Sequence, residues 1–174
     1  MIITENLSKI IRGRRIMTII VFAFLFFLFK FAFAQDGVSI SLFPESGSFR
    51  IGDEIKMDIK INAAGIPINA SEVVLRFPPD NFEVASISKN GSIFSLWPKE
   101  PFFSNTLGLI SFIGGTPQPG FSGEGNAIAV KLKAIKEGES SITFDEGKIL
   151  ANDGKGTNVL AFLHTAKYFI MPPG

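Results

Sequence analysis

EIKMDIKI, residues 54–61, alternates charged and apolar side chains without a break. Because successive side chains of a β-strand point to opposite faces, its apolar members fall on one face and its charged members on the other. The apolar members are Ile55, Met57, Ile59 and Ile61. The stretch therefore predicts a strand that packs one face against a core and leaves the other face in solvent.

Similar alternation continues on both sides of this strand, and turn residues separate the runs. Further strands are predicted at residues 38–43, 68–77, 82–87, 109–113, 127–135, 141–144 and 162–170, with a weaker one at 102–105. Residues 93–97 are predicted to form no more than one helical turn, because Pro98 and Pro101 end it. Eight or nine short strands without an amphipathic helix predict an all-β fold, specifically a nine-stranded antiparallel β-sandwich with jelly-roll topology.

The N-terminal segment, residues 1–34, has the three parts of a secretory signal peptide. A basic region up to Arg15 precedes an apolar run at 16–29, and Ala32-Phe33-Ala34 forms a small-x-small cleavage site. A retained membrane anchor is the alternative, although the run of 14 residues is shorter than the roughly 20 that a spanning helix needs. The prediction is a secreted or cell-surface domain at 35–170, followed by a linker stub or tail at 171–174.

Charge and cysteine content restrict the function of the exported part. Residues 1–34 hold five of the 17 basic and one of the 16 acidic residues, so the remainder carries 12 basic and 15 acidic residues and a formal charge of −3. Nucleic-acid binding depends on basic patches that neutralise phosphates, so no nucleic-acid partner is predicted. The chain has no cysteine, and burial and strand pairing must hold the domain together without disulfides.

Several segments, taken in order, resemble the cohesin domain, a nine-stranded module that binds dockerin domains in cellulosome assembly. IGDEI at 51–55 is similar to the start of the family's second strand, and 68–84 resembles its third strand, proline-rich turn and fourth strand. ITF at 142–144 with LANDG at 150–154 looks like its eighth strand and the following loop. The resemblance covers residues 38–170 and implies a non-catalytic module that docks a dockerin-like protein through a flat sheet face, in extracellular polysaccharide-degrading or surface assemblies.

The predicted third strand supplies the first candidate contact residues. If Val73 and Leu75 face the core, alternation places Glu72, Val74 and Arg76 on the outer face. An outward valine between charged neighbours suits a mixed protein interface.

The resemblance to cohesins points to the same face, since the family binds its partner with its third, fifth, sixth and eighth strands. An acidic contact residue of the family falls at Glu72, and two further contact positions fall at Ile113 and Thr116. The sequence departs from the family's pattern at Ala70, where many relatives carry a polar residue, and at Thr116, where an acid is common. The predicted partner-binding residues are Glu72, Val74, Ile113 and Thr116, and the alternative is that they are ordinary solvated or packed strand residues.

No catalytic residue, cofactor or metal site is predicted. His164, the only histidine, lies within a predicted strand, and no serine or acid is tied to it by spacing. The acids are scattered over turns and polar strand faces, whereas glycoside hydrolysis needs a pair at a fixed distance. NDGKGT at 152–157 is rich in oxygen ligands, but Lys155 stands where calcium would bind, so a plain turn is predicted. In the cohesin pattern calcium belongs to the dockerin partner.

Carbohydrate binding is the alternative function, with polysaccharide as the second possible partner. Exposed planar aromatic side chains stack on pyranose rings in many β-sandwich modules. The exported part offers Trp97, Tyr168 and 12 Phe, and most of the Phe lie at inward positions of predicted strands. Trp97 beside Pro98 is the candidate platform, although a tryptophan in that position more often fills a gap under a loop.

Overall fold

The computed structural model describes residues 37–174, so the predicted signal or anchor segment at 1–34 lies outside the described residues. Residues 37–174 form eleven β-strands and no α-helix. The strands are β1 (Ser39–Phe43), β2 (Ser46–Arg50), β3 (Glu54–Asn62), β4 (Ile68–Arg76), β5 (Phe82–Ser88), β6 (Leu96–Ser104), β7 (Leu109–Gly115), β8 (Glu124–Ala134), β9 (Gly138–Ala151), β10 (Phe162–His164) and β11 (Ala166–Met171). A helix with the length and apolar character to span a membrane is not found in this part of the chain.

The strands form two sheets that share one core. The first sheet has five strands in the order β10-β1-β3-β8-β5, and the second has six in the order β2-β11-β9-β4-β7-β6. Most neighbours are antiparallel, but β1 and β10 are parallel, and so are β2 and β11. The all-β, two-sheet prediction is confirmed, whereas the prediction of nine purely antiparallel strands is wrong.

The two extra strands arise where the chain changes sheets. β1 and β2 are separated by only Pro44 and Glu45, yet they belong to different sheets. The predicted single strand at 162–170 likewise divides at Thr165 into β10 in the first sheet and β11 in the second. Because both segments cross between sheets in the same direction, the strands that meet at each edge run parallel.

The core lies between the inward faces of the two sheets. Ile55, Met57, Ile59 and Ile61 of β3 are all buried, which confirms the face assignment made from 54–61. Val73 and Leu75 of β4 are buried in the opposite sheet, as alternation predicts. Full burial of one such side chain contributes roughly 1.5–3 kcal/mol.

Tyr168 joins the two ends of the domain within this core. It is fully buried, and its hydroxyl donates a hydrogen bond of 2.7 Å to the carbonyl oxygen of Pro44. The rings of Phe49 and Phe82 meet its ring edge-on, with centroids 5.4 and 6.0 Å away. Burial raises the pKa of the Tyr168 hydroxyl above its ordinary value. Tyr168 therefore ties β11 to the segment where the chain passes from β1 to β2.

The predicted helical turn at 93–97 is wrong, because side-chain and backbone hydrogen bonds hold this segment extended against β8. Ser92 Oγ donates to Ala127 O at 2.6 Å and accepts from Phe94 N at 3.0 Å. The chain then enters β6 at Leu96, well before the predicted start at Phe102. β6 is an edge strand, and an edge strand tolerates the two prolines of this segment because its outer N–H groups need no partner.

Candidate functional site

The outer face of the second sheet at β6, β7, β4 and β9, hereafter the docking face, contains the residues predicted to bind a partner. Strand register arranges its outward side chains in four rows across these strands. The rows are Leu96–Gly115–Ala70–Leu150, Lys99–Ile113–Glu72–Lys148, Phe102–Ser111–Val74–Glu146 and Ser104–Leu109–Arg76–Thr143. Directly opposed residues on one face of a sheet have Cβ atoms about 5 Å apart, so each row is a line of neighbouring side chains.

The structure brings the four predicted site residues to this part of the molecule. Glu72 and Ile113 are directly opposed, and Val74 lies in the adjacent row beside them. All three are half-buried. Thr116 lies one residue beyond the end of β7, where its N–H donates to the carbonyl oxygen of Asn69 at 2.8 Å. Ala70, the position that departs from the cohesin pattern, is in the row nearest Thr116 and gives that end of the face an apolar character.

Charged side chains on the β4 and β9 half of the face pair with one another. Lys148 Nζ donates to Glu146 Oε1 at 2.5 Å and to Glu72 Oε2 at 3.2 Å. These hydrogen bonds, first to Glu146 and then to Glu72, raise the pKa of Lys148. Arg76 donates to Asp145 Oδ2 at 2.6 Å and to Leu107 O at 2.8 Å. The three carboxylates and two cations of this half therefore pair with one another and leave a formal charge of −1.

A β-bulge explains why so many charged groups reach this half of the face. The β4–β9 register shifts between Val74 and Leu75, so that Asp145 is an extra residue between Phe144 and Glu146. A bulge interrupts the period-two alternation and turns an additional side chain outward. Sequence alternation predicted β9 only at 141–144 and thus missed Glu146 and Lys148.

The β6 and β7 half of the face is more apolar and includes two residues that the sequence did not indicate. Leu96 is 53% exposed and Phe102 is 52% exposed, and both point outward from the edge strand. Two register irregularities, around Pro98 and Pro101, remove the period-two signal that would have revealed them. Exposed large apolar side chains that cluster on one face are typical of interaction sites.

Ser111 lies in the third row between Phe102 and Val74, at the centre of the docking face. It is only 1% exposed, and its Oγ has no hydrogen-bond partner in the structure. A buried hydroxyl without a hydrogen-bond partner costs free energy.

Trp97, the predicted sugar platform, packs against the core instead of standing free on the surface. Its ring meets Phe94 and Phe112 edge-on, with centroids 6.0 and 6.1 Å away. Lys89 Nζ lies 5.3 Å from the Trp97 ring centroid and covers part of the remaining surface. Trp97 therefore packs against the hydrophobic core at the β6 edge of the sandwich.

The other two candidate positions have local structural roles. His164 is exposed in β10, as predicted for a strand residue on a solvated face. In the 152–157 loop, Asp153 accepts hydrogen bonds from Lys155 N at 2.9 Å and from Thr157 Oγ1 at 2.5 Å. These bonds, led by the one from Thr157, lower the pKa of Asp153 and close the turn. Within residues 37–174, no group of three or more His, Cys, Asp or Glu is arranged to hold a metal ion.

No family model and no curated protein sequence matches this chain. Its structure is similar to solved cohesin domains. The cohesin of the Coh-OlpA-Doc918 complex from Clostridium thermocellum has a TM-score of 0.64 and 18% identity, over 78% of this chain and 100% of that chain. The cohesin of the Coh-OlpC-Doc435 complex from the same organism has a TM-score of 0.67 and 16% identity, over 81% and 99%.

A non-cellulosomal cohesin from the archaeon Archaeoglobus fulgidus is also similar, with a TM-score of 0.59 and 18% identity, over 78% of this chain and 90% of that chain. Similarity at this level of identity establishes the fold. The described residues have the cohesin fold, as the sequence resemblance predicted.

Proposed function

We propose that this chain, whose described residues have the cohesin fold, is a non-catalytic docking module that binds a dockerin-type protein through the docking face. Two of the structurally similar cohesins are bound to dockerins in their solved structures. The mixed composition of the docking face carries the proposal, because an exposed apolar half adjoins a half of internally paired charges. Interfaces of non-obligate complexes likewise combine apolar area with polar and charged groups.

The dimensions of the docking face suit a partner helix lying on a flat sheet. Adjacent strands are about 4.8 Å apart, so four strands span roughly 14 Å, and four rows along a strand cover roughly 20 Å. An α-helix with its side chains is about 10–12 Å wide. Contact of standard size would bury about 800 Å² on each partner. Leu96, Phe102, Val74 and Ile113 are the apolar contacts that this arrangement offers.

Binding of purified dockerin modules tests the proposal, with isothermal titration calorimetry as the measurement. The panel includes the dockerins of the two Clostridium thermocellum complexes. Val74→Asp and Ile113→Asp are expected to weaken binding at least about 30-fold, the effect of losing a hot-spot contact. Because Glu146 and Glu72 already adjoin these positions, Val74→Lys and Ile113→Lys are measured in parallel to separate the loss of an apolar contact from repulsion between acids.

Phe169→Asp is the matched control, since Phe169 is 52% exposed on β11 of the same sheet but lies outside the docking face. The control should bind like the wild type, and all variants should melt near the wild-type temperature. Failure of the wild type to bind any dockerin overturns the dockerin assignment. Wild-type affinity in both Val74 and Ile113 variants overturns the choice of face.

Action outside the cell is the second part of the proposal. It is supported by the signal-like composition of residues 1–34, with a small-x-small site ending at Ala34. Expression with export, followed by N-terminal sequencing of the protein from the medium, is the direct test. Cleavage should leave Gln35 as the first residue, whereas a retained anchor leaves the protein in the membrane fraction with its N-terminus intact.

A further inference from the structure

Exposed aromatic rings occupy the outer face of the first sheet, on the side of the sandwich opposite the docking face. Phe43 is 54% exposed and Phe162 is 40% exposed, and His164 is exposed beside them. Register places Phe162 next to Ser39 and His164 next to Ser41 on one face of β10 and β1. Phe43 ends β1 and shares this outward face, because Ile40 and Leu42 point into the core.

Phe162, His164 and Phe43 share this outward face, hereafter the strip, in which Phe162 and His164 are adjacent rings and Phe43 lies farther along β1. The Phe162 and His164 centroids are 6.3 Å apart with their planes tilted by 38°. Gly37 allows Phe162 to lie over the start of β1, since a Cβ at Gly37 would be only 2.7 Å from the Phe162 ring. Phe43 lies four residues beyond Ser39, which at about 3.3 Å per residue places it roughly 13 Å along the strand from Phe162. The strip is therefore long enough for two or three sugar rings.

Polar groups between and beside the rings are either uncharged or paired. Ser39 and Ser41 supply hydroxyl groups, and Asn62 lies opposite Ser39 on β3. Lys60 Nζ lies over the Phe43 ring, 4.7 Å from its centroid, and 3.8 Å from Glu124 Oε1, so a sugar stacks on that face of the ring only when the lysine moves aside. Lys56 and Asp58, on the same face of β3, are 3.5 Å apart. The strip has little net charge and many hydrogen-bonding groups.

This combination favours one class of ligand. A nucleic acid or an anionic membrane surface requires an excess of unpaired basic groups, which the strip does not have. A neutral polysaccharide offers apolar C–H faces that stack on aromatic rings and hydroxyl groups that bond to serine, amide and ammonium groups. We propose that the strip of Phe43, Phe162 and His164, with Ser39 and Ser41 between them, binds a neutral polysaccharide chain. This site is independent of the dockerin proposal, because it lies on the other sheet.

The test measures retention of the full-length protein on insoluble cellulose, chitin and xylan. The wild type is expected to be retained on at least one of them. Phe43→Leu and Phe162→Leu keep apolar volume but remove the planar ring, and each should lower the retained fraction at equilibrium at least tenfold. Phe43→Trp, which enlarges the planar ring, should strengthen retention relative to the wild type, an effect that a purely structural role would not produce. Phe169→Leu is the matched control, as an equally exposed Phe on the other sheet.

Each outcome is decisive. Loss of retention in the two strip variants, with retention intact in Phe169→Leu and melting temperatures near wild type, supports the site. No retention of the wild type on any polysaccharide overturns it, as does equal loss in Phe169→Leu. Capture of a protein by the strip without polysaccharide retention also overturns it. Dockerin titration of the same variants separates the two proposals, since strip variants should keep dockerin affinity whether or not they bind polysaccharide.

Discussion

Glu72 and Lys148 are directly opposed on β4 and β9, and Lys148 Nζ lies 3.2 Å from Glu72 Oε2. Both side chains are partly exposed, at 36% and 44%, so water and salt screen their attraction. Glu72→Gln is expected to lower the melting temperature of the free protein by no more than about 3 °C. Differential scanning calorimetry measures this change.

The sign of the pH effect follows from Lys148. Its raised pKa means that the folded protein holds the proton more tightly than the unfolded chain does. The stabilisation is fully present below the ordinary pKa of 10.5 and is lost as pH rises beyond it. The effect of Glu72→Gln should therefore be constant between about pH 6 and 9. If the destabilisation by Glu72→Gln varied with pH within that range, the ion pair of Glu72 with Lys148 would not explain it.

Ser71 and Ser111 provide a matched pair of buried serines with opposite hydrogen-bonding states. Ser71 is 0% exposed and its Oγ donates to Lys148 O at 2.9 Å, whereas Ser111 is 1% exposed and its Oγ has no partner. Ser71→Ala should lower the free energy of unfolding by about 1 kcal/mol, because it removes a buried hydrogen bond. Ser111→Ala should leave it unchanged or raise it by up to about 1 kcal/mol, because it removes an unpaired polar group. Urea titration of both variants tests the contrast, and equal destabilisation would show that Ser111 has a partner.

Gly114 and Gly115 differ in the space beside them, although they are adjacent in β7. A Cβ at Gly114 would lie 2.4 Å from Phe94 Cδ2, while one at Gly115 would lie 3.4 Å from Asn69 O. Gly114→Ala should destabilise the protein by roughly 1–3 kcal/mol, as expected for overpacking a core. Gly115→Ala, which adds a methyl group beside Leu96 on the docking face, should be close to neutral. Thermal melting of the two variants is the measurement, and similar melting temperatures would mean that Phe94 moves aside at little cost.

Period-two alternation predicted the buried and exposed faces of a strand wherever the strand is regular and has one solvent-exposed face. It placed the buried faces of β3 and β4 correctly, and through β4 it placed Glu72 and Val74 on the outside. It failed where irregular hydrogen bonding breaks the period. Most of β6 was not predicted because of the register shifts beside Pro98 and Pro101. The second half of β9 was not predicted because of the bulge at Asp145.

The same limits decided which parts of the candidate sites could be predicted. Alternation found Glu72 and Val74 within one regular strand, and the cohesin resemblance added Ile113 and Thr116. The residues that the irregular strands β6 and β9 place beside them were not found. Lys148 and Phe102 reach the docking face only through register, which the sequence does not specify. Phe162 lies beside β1 because the chain changes sheets at Thr165, and a single predicted strand at 162–170 cannot reveal that crossing.

The stability of the protein at alkaline pH tests whether Tyr168 is buried in the core. It is the only tyrosine, and burial raises the pKa of its hydroxyl above the ordinary value of 10.0. The unfolded chain releases this proton near the ordinary pKa, while the folded protein retains it to higher pH. The contribution to stability is therefore fully present below pH 10.0 and is lost as the pH rises above that value.

An alkaline titration measures ionisation of Tyr168 by ultraviolet absorbance and unfolding by circular dichroism. Both signals should change at the same pH, because Tyr168 ionises only when the protein unfolds. Tyr168→Phe keeps the edge-on ring contacts but removes the hydrogen bond of 2.7 Å to Pro44 O. At neutral pH it should cost about 0.5–1.5 kcal/mol. The difference from wild type should shrink as the pH rises above the ordinary tyrosine value, since the variant has no proton to lose there. Reversible ionisation near that value in a protein that stays folded would place the Tyr168 hydroxyl in solvent and contradict the packing of β11 against the β1–β2 crossing.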